Sequence, residues 1–301
     1  MTKQQTTPNI TTIMLEVILA CLPAIFITSF IFGIGIIYNI LFAVIFSISL
    51  ESLCLKLRAK PIALYLSDFS AIVTAILLAM CLPPYFNVIK IAIGIFFSIV
   101  ISKHIYGGLG HNIFNPAMVG YIILLVAFPQ DFTNWQIEND IFNFNIADDI
   151  TQATPLDPIV SKSYIYNQIS YYYAINTAWL LGGCYLLAKK IVPVALASGF
   201  IIGLFMTTCL CFVMNISTNY LPWQHLFLGA TMMGAWFIVS DPVTAPVTNH
   251  GRWLYSILCG ILCFLIREFG KYPDGVGFAI LFMNTWVPLI NKITKKSSYV
   301  K

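Results

Sequence analysis

Charge is what this chain has least of. Asp, Glu, Lys and Arg make up 9% of its 301 residues against 59% hydrophobic ones, and the mean hydropathy is +0.84. Too little polar surface is available to clothe a soluble globule, so a water-soluble catalytic domain is excluded. No small-residue cleavage pattern follows the first apolar run, which is expected to be retained as a span. Metal-binding spacings are also missing. The eight cysteines include only C-x-C at Cys209 and Cys211 and C-x-x-x-C at Cys259 and Cys263, which match no common zinc or iron–sulfur framework. They are expected to be small packing residues without disulfides. His104 and His111 lack ligand spacing and are expected to be structural. Gly107, Gly108 and Gly110 follow no strand and complete no phosphate loop, so a tight turn is expected there.

Long apolar runs are abundant. Ten segments recur at about 12–31, 33–53, 68–83, 87–103, 113–129, 174–188, 191–215, 224–240, 252–267 and 275–290, against the ~20 residues of a simple span. This is an all-α polytopic membrane protein of about ten transmembrane helices. Several runs are short and end or begin at proline, as at Leu82-Pro83-Pro84, Asn115-Pro116 and Ser240-Asp241-Pro242. Irregular backbone at membrane depth survives only where protein or a cavity covers it, so broken helices around a functional centre are expected.

The basic residues set an orientation. With the N-terminus inside, Lys3, Lys56, Arg58, Lys60, Lys103, Lys189, Lys190, Arg252, Lys292, Lys295, Lys296 and Lys301 fall on the cytoplasmic side, leaving only Lys90, Lys162, Arg267 and Lys271 outside. Such an excess is the cytoplasmic signature. Both termini are then cytoplasmic and the long loop lies outside. The net charge of +4 reflects this topology and not nucleic-acid binding.

Ala71 to Pro83 overlays Ala230 to Pro242 with equal spacing, and each stretch is followed by an apolar helix ending in a basic residue, Lys103 or Arg267. Two halves of five spans, an odd number, must be inverted relative to each other. The expected organisation is a first repeat at 1–129, an outer loop at 130–173, and a second repeat with a cytoplasmic tail at 174–301.

The loop holds half of the twelve acids and contains Asp149-Ile150-Thr151-Gln152-Ala153-Thr154. Elsewhere, Glu16, Asp68, Lys103, His104, Asp241, Arg267, Glu268 and Asp274 are ionisable residues near the membrane, where charge is costly unless paired or hydrated. Asp68, Asp241 and Asp274 are candidates for ion coupling, with helix capping or a turn as the plain alternative. Leu228-Gly229-Ala230-Thr231 mimics the end of the loop motif, but lies in an apolar segment without the upstream acid. Gly229, Ala230, Gly234 and Ala235 are expected to permit close helix packing.

The Asp-x-Thr-Gln-Ala-Thr order resembles the attachment motif of the D subunit of the Rnf ion-translocating electron-transport complex and its homologue, the B subunit of the sodium-pumping NADH:quinone reductase. Leu53 to Arg58, Lys103 to Gly120, Gly229 to Gly234, Ser240 to Ala245, Thr248 to Arg252 and Tyr272 to Val276 are similar to further signatures of that family. The resemblance implies a bacterial inner-membrane flavoprotein that relays electrons, in ferredoxin- or NAD-linked chemistry, within an ion-translocating complex. It implies FMN joined through a phosphoester to Thr154, with Thr151 and Asp149 in the attachment motif, and a second, noncovalent flavin such as riboflavin. It further implies partner subunits carrying iron–sulfur centres and another FMN, and a flavin transferase for maturation. The family's basic residues before the first helix are missing from Pro8-Asn9-Ile10-Thr11-Thr12, and the loop is shorter than in many relatives. A urea-channel-like pore would share the inverted plan but leaves the loop motif without a purpose. A purely structural subunit with Thr154 unmodified is the other alternative.

Overall fold

The computed structural model describes residues 9–133, 135, 162–216, 220–270 and 274–296, and among these every regular element is helical. The first half holds α1 (Ile10–Phe32), α2 (Gly35–Leu57), the short α3 (Ile62–Leu66), α4 (Ser70–Ala79), α5 (Val88–Phe96) and α6 (Pro116–Ala127). The second holds α7 (Lys162–Ala188), α8 (Val194–Val213), two short turns α9 (Gln224–Phe227) and α10 (Thr231–Met233), then α11 (Asn249–Phe269) and α12 (Val276–Lys296). Nine of the ten expected apolar segments each fall mainly on one of these helices, whereas 224–240 is divided among α9, α10 and the turn that follows. α7 starts at Lys162, earlier than its apolar run, because no proline or glycine interrupts the chain from there to Leu181.

Four helices are long and apolar enough to cross a membrane: α1, α2, α8 and α12, with window hydropathies of 2.4, 2.0, 2.1 and 1.4. Among the described residues, α7 and α11 are as long, at 27 and 21 residues, but less continuously apolar, and the remaining helices are shorter or broken. α5 runs directly into a π-helical stretch, Phe97–His104, and α10 into another, Gly234–Ile238. In these turns the amide of Ile105 donates to Val100 O at 3.0 Å and that of Val239 to Gly234 O at 2.8 Å. The wider turn admits one extra residue, a device found mostly at functional sites.

Packing follows from small residues. α8 lies along α11 so closely that a Cβ on Gly203 would meet Ile257 O at 2.3 Å, and one on Gly260 would meet Phe200 O at 2.3 Å. Close backbone approach gives helices in lipid the dispersion contact that hydrophobicity cannot supply there. α2 packs on α4 and α5, α6 lies between α5 and α12, and α1 runs along α7. A Cβ on Gly183 of α7 would strike the Trp236 ring at 2.3 Å, so that glycine seats the indole.

Two breaks need polar partners, since an unpaired buried amide or carbonyl costs about 1–3 kcal/mol. After α4 the chain turns through Pro83 and Pro84; Asn39 on α2 donates from Nδ2 to Pro83 O at 2.7 Å and accepts from Phe86 N at 3.0 Å. Asn87 then caps α5 by accepting from Ile89 N and Lys90 N. In the second half, Asn176 on α7 donates from Nδ2 to Phe227 O at 2.9 Å and Gly229 O at 3.0 Å, and its Oδ1 accepts from Met232 N at 3.1 Å. One buried amide therefore holds the α9–α10 break.

Asn176→Leu should destabilise the fold by about 2–4 kcal/mol, because two carbonyls and one amide lose a partner at once. Thermal unfolding in detergent measures it. An exposed change of the same kind, Thr285→Leu, should lie within about 0.5 kcal/mol of the parent.

Candidate functional site

Two cavities lie between the halves. The proximal one, about 240 Å³, is bounded by the start of α1 (Ile13, Met14, Val17), the start of α4 (Ser70, Val73, Thr74, Leu77), Lys103, the start of α6 (Asn115 to Ala117), the end of α7 (Leu186), and Trp236 to Val243. The distal one, about 100 Å³, is bounded by the end of α1 (Thr28, Phe32), Met80 and Cys81 after α4, Met118 and Tyr121 of α6, the middle of α7 (Tyr172, Ile175, Trp179), Gly229, Ala230 and Met233, and the start of α12 (Asp274, Val276, Gly277). Val17 and Thr28 separate them by roughly 16 Å along α1.

The proximal cavity is the roomier and is lined by more hydroxyl, amide and charged side chains. Asp241, half-buried in its wall, accepts from Val243 N at 3.0 Å, Thr244 Oγ1 at 3.2 Å and Asn115 Nδ2 at 3.4 Å. Among the described residues no cation pairs with it. Asn115 caps α6 by accepting from Met118 N, while Asn284 on α12 accepts from Asn115 N at 3.3 Å and donates to Tyr255 Oη at 2.9 Å. This chain of amides fixes the carboxylate from both halves. Trp236, also in the wall, keeps its indole Nε1–H buried without a hydrogen-bond partner. An unmatched buried donor is uncommon, and this one lies in a residue that forms part of the cavity wall.

Each cavity has an ion pair set in its wall. In the proximal one, Lys103 at the end of the π-helical stretch donates to Glu51 Oε1 at 2.9 Å, Glu51 Oε2 at 3.0 Å and Ser70 Oγ at 2.8 Å. His104 Nε2 comes within 3.1 Å of Glu51 Oε2, off the line of a full hydrogen bond. Arg58 Nη1 lies 3.3 Å from His104 Nδ1, and Arg58 Nη2 donates to Gly107 O at 2.9 Å. An arginine only donates, so Nδ1 is the acceptor and the ring proton sits on Nε2, facing Glu51. In the distal wall, Arg267 Nε and Nη2 both lie 3.0 Å from Asp274 Oδ1, and Nη1 donates to His225 O at 3.1 Å. Asp274 Oδ2 accepts from Ala230 N at 2.8 Å. Removing one member of such a buried pair costs about 3–5 kcal/mol, because its partner is left charged and alone.

The three candidate aspartates thus occupy different sites. Asp68 accepts from Ser70 N at 2.8 Å and Ser70 Oγ at 2.6 Å at the start of α4, Asp241 faces the proximal cavity, and Asp274 is tied to Arg267 beside the distal one. Thr154, Thr151 and Asp149 lie outside the described residues. Gly107, Gly108 and Gly110 form the expected turn, with φ of 125°, 100° and 88°. Gly229 departs from close helix packing: it sits at φ 58°, in the break before α10. Gly234 does pack closely, its missing Cβ leaving room for Val276. The eight cysteines are free thiols.

Glu51 was missed by the sequence analysis, although it is 3% exposed and neutralises Lys103. Its signal was present, as a single acid inside the apolar run of α2. Asn39, Asn176 and Asn284 carry no comparable signal, since a lone amide in a hydrophobic helix has no spacing rule. Glu16, by contrast, pairs near the surface with Lys189 at 3.1 Å.

Comparison with known proteins bears on the whole length. The profile described as the NQR2, RnfD, RnfE family matches residues 2–300. A protein of Salmonella enteritidis, named as the D subunit of an ion-translocating oxidoreductase complex, is 38% identical over 328 aligned positions, covering 95% of this chain and 93% of that one. Proteins of the same name from Mannheimia succiniciproducens and Aeromonas hydrophila are 40% and 36% identical, covering 94% and 96% of this chain and 92% and 94% of their own. With the match running from end to end, this chain belongs to the NQR2, RnfD, RnfE family.

Proposed function

We propose that this chain is the D-type membrane subunit of an Rnf-type complex that couples ferredoxin- or NAD-linked electron transfer to ion movement, and that it carries FMN on Thr154 through a phosphoester. One observation carries the reading: the chain aligns over nearly its full length with proteins named for ion-translocating oxidoreductase complexes, and its attachment sequence, Asp149 to Thr154, is intact. The threonine hydroxyl is the anchor, Asp149 and Thr151 complete the motif, and a flavin transferase makes the bond. When bound, the flavin passes single electrons between one-electron carriers, and the tether keeps it at high local concentration.

The architecture proposed is ten crossings in two inverted halves, with both termini in the cytoplasm and the Thr154 loop on the outer face of a bacterial inner membrane. The two cavities support it. The start of α1 lines the proximal cavity and its end the distal one, while the start of α12 lines the distal cavity and the start of α6 reaches both. One cavity toward each end of α1 is what an inverted repeat would place there. The proximal cavity then opens toward the cytoplasm and the distal one outward.

The second, noncovalent flavin is placed in the proximal cavity. Its volume of about 240 Å³ exceeds the ~150 Å³ that holds benzene, whereas the distal cavity's 100 Å³ does not. Trp236 Nε1–H offers an unmet donor to a ring carbonyl, and Asn115 and Asn112 supply further amides. Asp241, fixed by three donors yet without a cation, is the ion-coupling candidate best placed beside that ring; Asp68 and Asp274 are occupied by capping and by Arg267. Iron–sulfur centres and the other FMN belong to partner subunits.

The tether is tested on a denaturing gel. Wild-type chain co-expressed with a bacterial flavin transferase should fluoresce at 33.7 kDa and Thr154→Ala should be dark. A dark wild type beside a labelled control acceptor would dismiss covalent attachment and leave a pore or scaffold.

The cavity reading makes a separate prediction. Trp236→Phe keeps the ring and deletes the N–H, so flavin released on denaturation should bind about 3- to 10-fold more weakly, the worth of one hydrogen bond. Equal retention in both proteins would remove the flavin from this cavity.

A further inference from the structure

Beside the proximal cavity, Lys103 is bonded to more than it needs. Glu51 alone neutralises it, yet the third ammonium proton goes to Ser70 Oγ at 2.8 Å, and Ser70 Oγ in turn donates to Asp68 Oδ1 at 2.6 Å. Lys103 is 2% exposed and lines the cavity; Asp68 is half-buried in the turn between α3 and α4. A continuous donor–acceptor chain therefore runs from a buried cavity to a carboxylate in reach of water. The matching pair in the other half is built differently. Arg267 sits at the end of α11 as Lys103 does at the end of its helix, but it bonds Asp274 and the backbone carbonyl of His225. Arginine keeps its proton at every accessible pH, and carbonyls pass none on. One pair is made of exchangeable groups and the other of fixed ones.

We propose that Lys103, Ser70 and Asp68 form a proton relay between the proximal cavity and the water at the Asp68 turn. Two hops complete a transfer. The Lys103 ammonium gives a proton to Ser70 Oγ as the Ser70 hydroxyl gives its own to Asp68, leaving a neutral amine and a neutral carboxylic acid. Asp68 then releases its proton to water, and Lys103 takes one from hydronium or a protonated group in the cavity. The number of protons and the total charge are conserved, and the same path runs in reverse. Glu51 holds the Lys103 nitrogen in place, accepting from the ammonium before the transfer and from the amine N–H after it, and His104 and Arg58 close the opposite side of Glu51. Asp241 is the remaining charged group of the cavity wall. The relay goes beyond the flavin reading and holds whether or not a flavin occupies the cavity.

Proton exchange at Lys103 tests it directly. The full-length chain, labelled with ¹⁵N-lysine and ¹⁵N-arginine in lipid nanodiscs, would be followed by ammonium NMR, with the Lys103 signal assigned by its loss in Lys103→Arg. A buried ammonium without a relay exchanges only through local opening. With the relay, wild-type exchange is fast, and both Ser70→Ala, which keeps the two Glu51 bonds, and Asp68→Asn slow it by at least about tenfold, an amount equal to ~1.4 kcal/mol of barrier. A wild-type signal broadened beyond detection that becomes visible in both variants counts as the same result. The Arg267 Nε–H should be unchanged in all three and reports that the fold is intact. Exchange that is equally fast, equally slow or equally broadened in wild type and both variants would overturn the proposal, and so would an effect confined to Ser70→Ala.

Discussion

Every distinctive feature of this fold answers one constraint: backbone amides and carbonyls inside a membrane have no water to bond. The chain breaks two helices near the interface of its halves, one at Pro83 and Pro84 and one around Gly229, and each break exposes polar backbone. Asn39 and Asn176 match it. Arg267 reaches the carbonyl of His225 for the same reason. Because these breaks are held by side chains and not by continuing helix, room is left beside them, and the distal cavity occupies it.

The cavities differ in what their walls supply. The distal wall is aromatic and sulfur-rich, with Phe32, Trp135, Tyr172, Trp179, Met80 and Met233, and its ion pair is directed into backbone. The proximal wall has hydroxyls, amides, a lysine and a carboxylate. An electron carrier needs a surrounding that sets its potential through hydrogen bonds and charge, and only the proximal wall offers both in quantity. The two cavities thus need not do equal work: helices shared between them position both, and the side chains specialise each.

Much of this was legible in the sequence. Apolar runs fixed the helices because lipid demands length and hydrophobicity together, and Pro83-Pro84 and Pro242 marked where regular helix stops. Lys103 and Arg267 could each be picked out as the basic end of the apolar helix that follows the stretch from Ala71 to Pro83 or from Ala230 to Pro242. Their partners could not, since Glu51 lies 52 residues before Lys103 and only packing of α2 against the π-helical stretch brings it there. The asparagines at the breaks were hidden for a related reason: each serves backbone from a distant segment, and nothing in the local pattern of α2 or α7 foretells it. π-helical turns escaped too, because an extra residue in a buried helix leaves the hydrophobic run unbroken. The motif around Thr154 could be read only as sequence.

That extra residue has an evolutionary consequence. A π-turn is an α-helix that has accepted an insertion, so loss of any one residue from Phe97–His104 would restore α-geometry at little cost to hydrophobicity. The flanking helix would keep its phase, but the residues within the stretch beyond the deletion would turn by up to about 100°, carrying Lys103 and His104 away from Glu51. A deletion in this helix should therefore be harder to accommodate than most substitutions.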